Sequence, residues 1–233
     1  MLILALDTST AQGGVAVLDR ENVLSASIWT RETSHSELLT SQIEDTLRAA
    51  SHGLKDVSLI ALGRGPGSFT GIRIAVNAAR TLGYALNVPI AMFDTDEILA
   101  AAVLRHDLPL LTVINAQKNS VFASWHRYDS TSKQWRRTNP PQLTTPEELA
   151  QGLVGPHLVV GDGYEVLVAE AASTFVAACV RDSSVSDLPH PSSLGLLAWA
   201  TRDSRPPIVW KDAQALYIRA SGAEEKLRET QGK

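Results

Sequence analysis

Gly63-Arg64-Gly65-Pro66-Gly67-Ser68-Phe69-Thr70-Gly71-Ile72-Arg73 is the stretch that decides the fold. On its N-terminal side Val57–Leu62 is nearly continuously apolar, as expected of a strand covered on both faces. On its C-terminal side the pattern predicts a helix over Thr70–Leu86, so the glycines form a tight strand-to-helix turn. Ser68 or Thr70 can cap the free amides at the helix start, and such a terminus can hold a phosphate or carboxylate. A turn whose glycines only let helix and strand pack closely explains the same residues. No Gly-Lys-Ser/Thr follows, which excludes a Walker loop, and no Gly-x-Ser-x-Gly elbow of a hydrolase occurs.

Upstream, the short runs Leu2–Leu6, Gly13–Leu18 and Val23–Ile28 alternate with the turn formers Thr10–Gln12 and Asp19–Asn22. That spacing predicts an antiparallel three-stranded meander. Ser34 and Glu37 have capping-box spacing, and Leu39, Ile43 and Leu47 share one face of a helix over Ser36–Ala49 that Gly53 stops. Downstream, Val88–Phe93 reads as a strand, and Asp94 as the cap of a helix over Thr95–Leu104. The order is three strands, helix, strand, helix, strand, helix.

The second half repeats this order imperfectly. Leu108–Ile114, Val121–Tyr128 and, more weakly, Gln134–Leu143 read as strands, followed by a helix from Pro146 to Gln151 behind the cap Thr145. His157–Val160 is a strand, Gly161-Asp162-Gly163 a turn, Tyr164–Ala172 a helix, Phe175–Val180 a strand and Ser192–Thr201 the closing helix, with a terminal helix at Ala223–Thr230. The expected fold is therefore α/β with two similar lobes, 1–104 and 105–233, each a mixed sheet flanked by helices. Whether the terminal helix packs on its own lobe or returns to the first is open.

The chain has 233 residues, 44% hydrophobic and 20% charged, which excludes disorder for most of it and allows one large domain or two lobes. Residues 1–102 carry 7 basic and 11 acidic groups, leaving 14 and 14 of the totals of 21 and 25 for the remainder. No run of Lys or Arg is long enough to neutralise many phosphates, which argues against a stand-alone nucleic-acid binder. The lone Cys179 excludes an internal disulfide and reads as a buried, inert thiol. No apolar stretch approaches the ~20 residues of a membrane span, so a cytoplasmic location is expected.

Two surfaces carry candidate chemistry. Asp7, Thr8 and Ser9 follow the first strand directly, where a carboxylate and hydroxyls could meet a phosphate; with Gly65, Gly67 and Ser68 they form a possible nucleotide or anion site. A capped turn is the competing reading, because no Lys or Arg follows within the loop. The second surface is helical: Ala75, Ala78, Ala79, Gly83 and Ala85 are small, and Ile72, Val76 and Ala79 align at i, i+4 and i+7. Gly83 costs roughly 1 kcal/mol relative to Ala, which close packing must offset, either by a neighbour in the same chain or by a helix of another. Histidines 35, 52, 106, 126, 157 and 190 show no His-x-x-x-His spacing, and Leu39 stands four residues beyond His35, which argues against a metal centre. Ser68 with His35 as base would make a hydrolase, but nothing in the sequence positions the two together.

The string Gly65–Ala75, together with Leu4-Ala5-Leu6-Asp7-Thr8-Ser9-Thr10 and His35-Ser36-Glu37-Leu38-Leu39, resembles the TsaB (YeaZ) family. The likeness continues more weakly through Gly161-Asp162-Gly163-Tyr164, Pro191–Ala200 and Leu216-Tyr217-Ile218-Arg219. It implies a two-lobed actin-like, Hsp70-like ATPase (ASKHA) fold and a role in threonylcarbamoyladenosine modification of tRNA. It further implies a non-catalytic subunit that pairs with the transferase TsaD through first-lobe helices, here by Leu39, Ile43, Leu47, Ile72, Ala75, Val76, Ala79 and Gly83. TsaE joins that assembly, a homodimer forms when TsaD is absent, tRNA is met only through the complex, and ATP or ADP and metal belong to the partner subunits. The alternatives are a nucleotide-binding transferase or ATPase in its own right, and a peptidase-like hydrolase. Where the family commonly has Asp-Ala-Arg and Glu-Val-Tyr, this chain has Asn115-Ala116-Gln117 and Ser120-Val121-Phe122, so any ligand role of that turn is not carried over.

Overall fold

A computed structural model describes residues 1–30, 35–105, 107–152, 155–171 and 173–219. The capping box at Ser34, His106 and the terminal helix expected at Ala223–Thr230 lie outside the described residues. The first lobe opens with β1 (Leu2–Asp7), β2 (Gln12–Asp19) and β3 (Asn22–Thr30), then α1 (His35–Ala49), β4 (Val57–Gly63), α2 (Phe69–Leu86), β5 (Ile90–Phe93) and α3 (Thr95–Ala101). Its sheet runs β3-β2-β1-β4-β5, antiparallel across the first three strands and parallel across the rest.

Strand alternation assigns the two faces. Leu4, Leu6, Ile60 and Leu62 pack against Leu39, Ile43, Leu47 and Ile72 of α1 and α2, whereas Ile3, Ala5, Leu59 and Phe93 face the other way. Burial on both faces explains why β1 and β4 read as unbroken apolar runs.

The second lobe contains β6 (Leu110–Asn115), β7 (Val121–Asp129), β8 (Gln134–Arg137), β9 (Gln142–Thr144), α4 (Pro146–Gly152), β10 (His157–Val160), α5 (Tyr164–Glu170), α6 (Ser173–Ala178) and β11 (Cys179–Val180). Its sheet runs β11-β10-β6-β7-β8, with β9 on β7. Counted from β6 this is the same strand order, with the same antiparallel and parallel pairs, as the first lobe. The duplication expected from the element order is thus a duplication of topology, and the fold is a two-lobed α/β fold with a mixed sheet in each lobe.

Three expectations need correction. The expected strand Gln134–Leu143 is two strands, interrupted by Asn139-Pro140-Pro141, since proline cannot donate to a ladder. Phe175–Val180 is mostly α6, with only Cys179 and Val180 in a strand, and Cys179 is half-buried rather than buried. Burial still pushes its thiol pKa up, away from reactivity.

The division at residue 104 also changes. The helix α7 (Pro191–Thr201) does not complete the second lobe; Leu194 and Ala198 close the open face of the first sheet against Ile3, Ala5 and Phe93. Ile208 then pairs with Ile90, and Trp210 packs on α2. Helix α3 is shared, with Ile98 in the first-lobe core and Leu99 and Ala100, followed by Val103 just past its end, in the second. Among the described residues no helix is long and apolar enough to cross a membrane.

Candidate functional site

The turn after β1 and the start of α2 meet as the sequence implied, and Asp7, Thr8, Ser9, Gly65, Gly67 and Ser68 come together. The Ser68 amide donates to the Ser9 carbonyl at 2.7 Å, and the Thr8 hydroxyl donates to the Gly71 carbonyl at 2.6 Å. Ser68 caps α2 by accepting from the Gly71 amide at 3.3 Å. Gly65 accepts from the Thr95 amide, and the Thr95 hydroxyl donates to that of Ser9. A Cβ on Gly67 would overlap the Ser9 carbonyl oxygen, and one on Gly71 that of Thr8, so the glycines admit the chain's own backbone.

Asp7 is fully buried, and its Oδ1 accepts from the Ser9 amide and hydroxyl at 2.7 and 2.8 Å. Its Oδ2 has no hydrogen-bond partner among the described residues and lies against the Gly63 backbone. Burial pushes the Asp7 pKa up to about 6, against the lowering effect of the Ser9 hydrogen bonds. The Ser9 amide and hydroxyl, the Ser68 amide and the Thr8 hydroxyl each have a partner within the chain, and the glycines admit backbone of the β1 turn.

Asp7 also sets a pH dependence. Its folded-state pKa of about 6 exceeds the ordinary aspartate value of 3.8, so the folded chain binds more protons in that window and stability falls as pH rises through it. Asp7→Asn keeps the acceptor for Ser9. It is expected to flatten that slope and to raise stability on the order of 2 kcal/mol at about pH 8 but not at about pH 4. Urea denaturation at both pH values is the measurement.

In front of this junction lies a cavity of about 420 Å³ between the lobes. Ser9–Ala11 and Pro66–Thr70 form one wall, and Ile114–Lys118, Phe122 and Asp162 form the other. Residues 216–219 cross from lobe to lobe along it. The Leu216 amide donates to the Arg64 carbonyl, Tyr217 stacks on Phe69 with centroids 4.8 Å apart, and the Arg219 guanidinium donates to the Ala116 carbonyl at 2.6 Å. The turn at Asn115–Ser120 takes Gln117, Lys118 and Asn119 through positive φ. Its side-chain anchor is Asn115 Oδ1, which accepts from the Gln117 amide. Asp162, raised in pKa chiefly by burial, accepts from the Asn115 amide.

Behind the cavity is a polar network with no signal in the sequence. Asp94 is the N-cap of α3, as expected, with its amide donating to Glu97, and its carboxylate also accepts from Arg64 Nε and from Arg137 Nη1, both at 2.6 Å. Arg137 also reaches both oxygens of Asp96 at 3.2 Å, and the Ser124 hydroxyl donates to Asp96 at 2.7 Å. Burial pushes Asp96 up to about 6 and His126 down to about 3, the latter helped by the Arg137 charge. His126 is therefore neutral at 3.4 Å from Asp96. The network joins α3 to β7 and β8 and so ties the lobes together.

The proposed partner residues need the largest correction. Leu39, Ile43, Leu47, Ile72, Ala75, Val76, Ala79 and Gly83 are all buried in the chain's own core, beneath α1 and α2. Gly83 is small because Trp210 lies over it, with a Cβ there only 2.9 Å from that of Trp210. The faces these helices leave open are Glu37, Ser41 and Asp45 on α1 and Arg73, Asn77, Thr81 and Tyr84 on α2. His35 is buried, with Nδ1 accepting from Trp29 Nε1 and Nε2 3.1 Å from the Thr10 carbonyl. Both ring nitrogens are committed to local contacts, which removes His35 as a base for Ser68. No cluster of three or more metal-ligating side chains occurs among the described residues.

Residues 23–179 match the family model described as TsaD, tRNA N6-adenosine threonylcarbamoyltransferase. The chain is 27% identical over 238 residues to the tRNA threonylcarbamoyladenosine biosynthesis protein TsaB of Haemophilus influenzae, with 97% of each chain covered. It is 30% identical over 180 residues to TsaB of Buchnera aphidicola subsp. Schizaphis graminum, covering 75% of this chain and 84% of that one. A Pseudomonas aeruginosa crystal structure described as similar to the peptidase YeaZ superposes with a TM-score of 0.80 at 26% identity, covering 94% and 99% of the two chains.

Proposed function

The chain belongs to the TsaB (YeaZ) family of tRNA threonylcarbamoyladenosine biosynthesis proteins, and from that premise we propose that it is a non-catalytic partner of TsaD. The observation that supports the reading is the junction between the β1 turn and α2, where the Ser68 amide and the Thr8 hydroxyl are taken up by the chain's own carbonyls. In this reading TsaD transfers threonylcarbamoyl from an adenylate made by TsaC to the adenosine next to the anticodon, in tRNAs reading codons that begin with A. TsaE completes the assembly, and nucleotide and metal are held by the partner subunits in the cytoplasm. The chain contributes a docking face on the outward sides of α1 and α2, which a second copy can occupy when TsaD is absent. With a net charge of −4 and no basic run, it leaves tRNA contact to the partner.

The test is reconstitution of tRNA modification with TsaC, TsaD and TsaE, with and without this chain. Modification is expected to depend on the chain, with no turnover of ATP by the chain alone in a magnesium salt. Turnover by the chain alone that is lost in Asp7→Ala would establish an ATPase instead.

The docking face has its own test. Asn77→Trp and Thr81→Trp place bulk on exposed positions of α2 and should abolish co-purification with TsaD while leaving the melting temperature unchanged. Co-purification that survives both substitutions moves the interface elsewhere.

A further inference from the structure

Helix α7 is apolar right round its circumference. Pro191-Ser192-Ser193-Leu194-Gly195-Leu196-Leu197-Ala198-Trp199-Ala200-Thr201 contains no charged residue, a composition expected of a helix covered on all sides. Among the described residues one side is covered. Leu194 and Ala198 pack on the first sheet, and Gly195 lies so close to Leu18 that a Cβ would overlap that side chain. The helical repeat sets Ser193, Leu196 and Ala200 on the other side, where Leu196 is 40% exposed and Ala200 is exposed as well.

That open side is one wall of a trough of about 760 Å³, on the face of the first sheet away from α1 and α2. Ala100, Ala101, Val103 and Leu104 form its floor, with Leu104 81% exposed, and the β7–β8 hairpin forms the far wall. The hairpin is fixed in place: Trp135 Nε1 donates to the Val103 carbonyl at 3.0 Å, and Tyr128 meets the Trp135 ring edge-to-face.

The exposed charge of the trough is cationic, although the chain as a whole carries −4. The carboxylates nearby are committed, Glu97 to Arg205 at 2.9 Å, and Asp94 and Asp96, beneath the surface, to Arg64 and Arg137. Lys133 and Arg136 are exposed on the hairpin; Asp129 approaches Arg136 only to 3.7 Å, and Lys133 has no ion-pair partner among the described residues. Arg136 also lies directly across the ladder from Arg127, a like-charge pairing that costs stability unless an anion shares it.

We propose that this trough seats an amphipathic helix of a partner protein, with its apolar stripe on Leu104, Leu196 and Ala200 and its acidic flank on Lys133 and Arg136. The 11 residues of α7 make a wall ~16 Å long, which matches about three turns of such a helix. Exposed leucines offer nothing to a nucleic-acid backbone, so floor and rim together select a peptide. The trough and the outward faces of α1 and α2 are on opposite sides of the first sheet, so a partner here and TsaD there do not compete.

The experiment uses the full chain and a fluorescein-labelled peptide, two copies of the heptad Leu-Glu-Glu-Leu-Leu-Ala-Glu, read by fluorescence anisotropy. The same peptide with lysine for each glutamate is the comparison. The acidic peptide is expected to bind about tenfold more tightly, the preference that two rim ion pairs supply. Lys133→Glu with Arg136→Glu should invert that preference, Leu196→Ser should weaken both peptides, and Asn77→Trp should change neither, all with unchanged melting temperatures. A peptide that does not bind, or a preference that charge reversal leaves unaltered, overturns the proposal. So does loss of binding in Asn77→Trp, which moves the peptide to the helical face. Dimers in sedimentation velocity that disappear in Leu196→Ser overturn it by giving the trough to a second copy. A single-stranded RNA that binds more tightly than the acidic peptide and is lost on charge reversal overturns it in favour of nucleic acid.

Discussion

Gly71→Ala is expected to destabilise the chain by ~3 kcal/mol or more, at the upper end of what overpacking costs. The added methyl would overlap the carbonyl oxygen of Thr8, and neither side can yield. Thr8 sits in the buried turn that ends β1, anchored by its hydroxyl to the Gly71 carbonyl, while Gly71 lies in the first turn of α2 under the Ser68 cap. The obstacle is backbone on both sides, so no rotamer change relieves it. Gly67→Ala adds a second penalty, because Gly67 lies at φ 154° as well as against Ser9. Gly152→Ala serves as the control, since a Cβ there meets nothing within 4 Å. Urea denaturation followed by tryptophan fluorescence should show the midpoint drop for Gly71 and Gly67 and hold for Gly152.

Arg137→Met is expected to cost ~3–5 kcal/mol, the range for removing one partner of a buried ion pair. It leaves Asp94 and Asp96, 2% and 1% exposed, with Arg64 as the remaining cation in contact with either among the described residues. The loss should itself depend on pH. The Arg137 charge now restrains an Asp96 pKa that burial has pushed up to about 6, so its removal lets that pKa rise further. A carboxyl whose folded pKa lies above its unfolded value weakens the fold as pH rises through the window between the two. The deficit of the variant is therefore largest above neutrality and shrinks on acidification. Asp96→Asn combined with Arg137→Met should recover part of the loss, and the double-mutant cycle gives the coupling.

The first lobe was legible because its signals are local: the meander turns, the apolar runs of β1 and β4, and the Gly63–Gly67 turn each fix an element within a few residues. Phe175–Val180 was misread because a short apolar run suits a buried strand and a short helix alike. The helical stripe through Leu39, Ile43 and Leu47 correctly located a buried face, but periodicity does not say what covers it. Here the cover is the chain's own sheet, so the partner face had to be sought on the opposite side of each helix. The network of Asp94, Asp96, Ser124 and Arg137 joins residues 28 to 43 positions apart, and no spacing rule anticipates it. The return of α7 to the first lobe is likewise a long-range event. Its mean composition identified a helix, not an address.

That return has a consequence for synthesis. One face of the first sheet, with Ile3, Ala5, Leu18 and Phe93, is covered by Leu194 and Ala198, residues made only after the whole of the second sheet. Until α7 emerges from the ribosome, the nascent first lobe presents an apolar slab to the surrounding solution, a natural substrate for a chaperone.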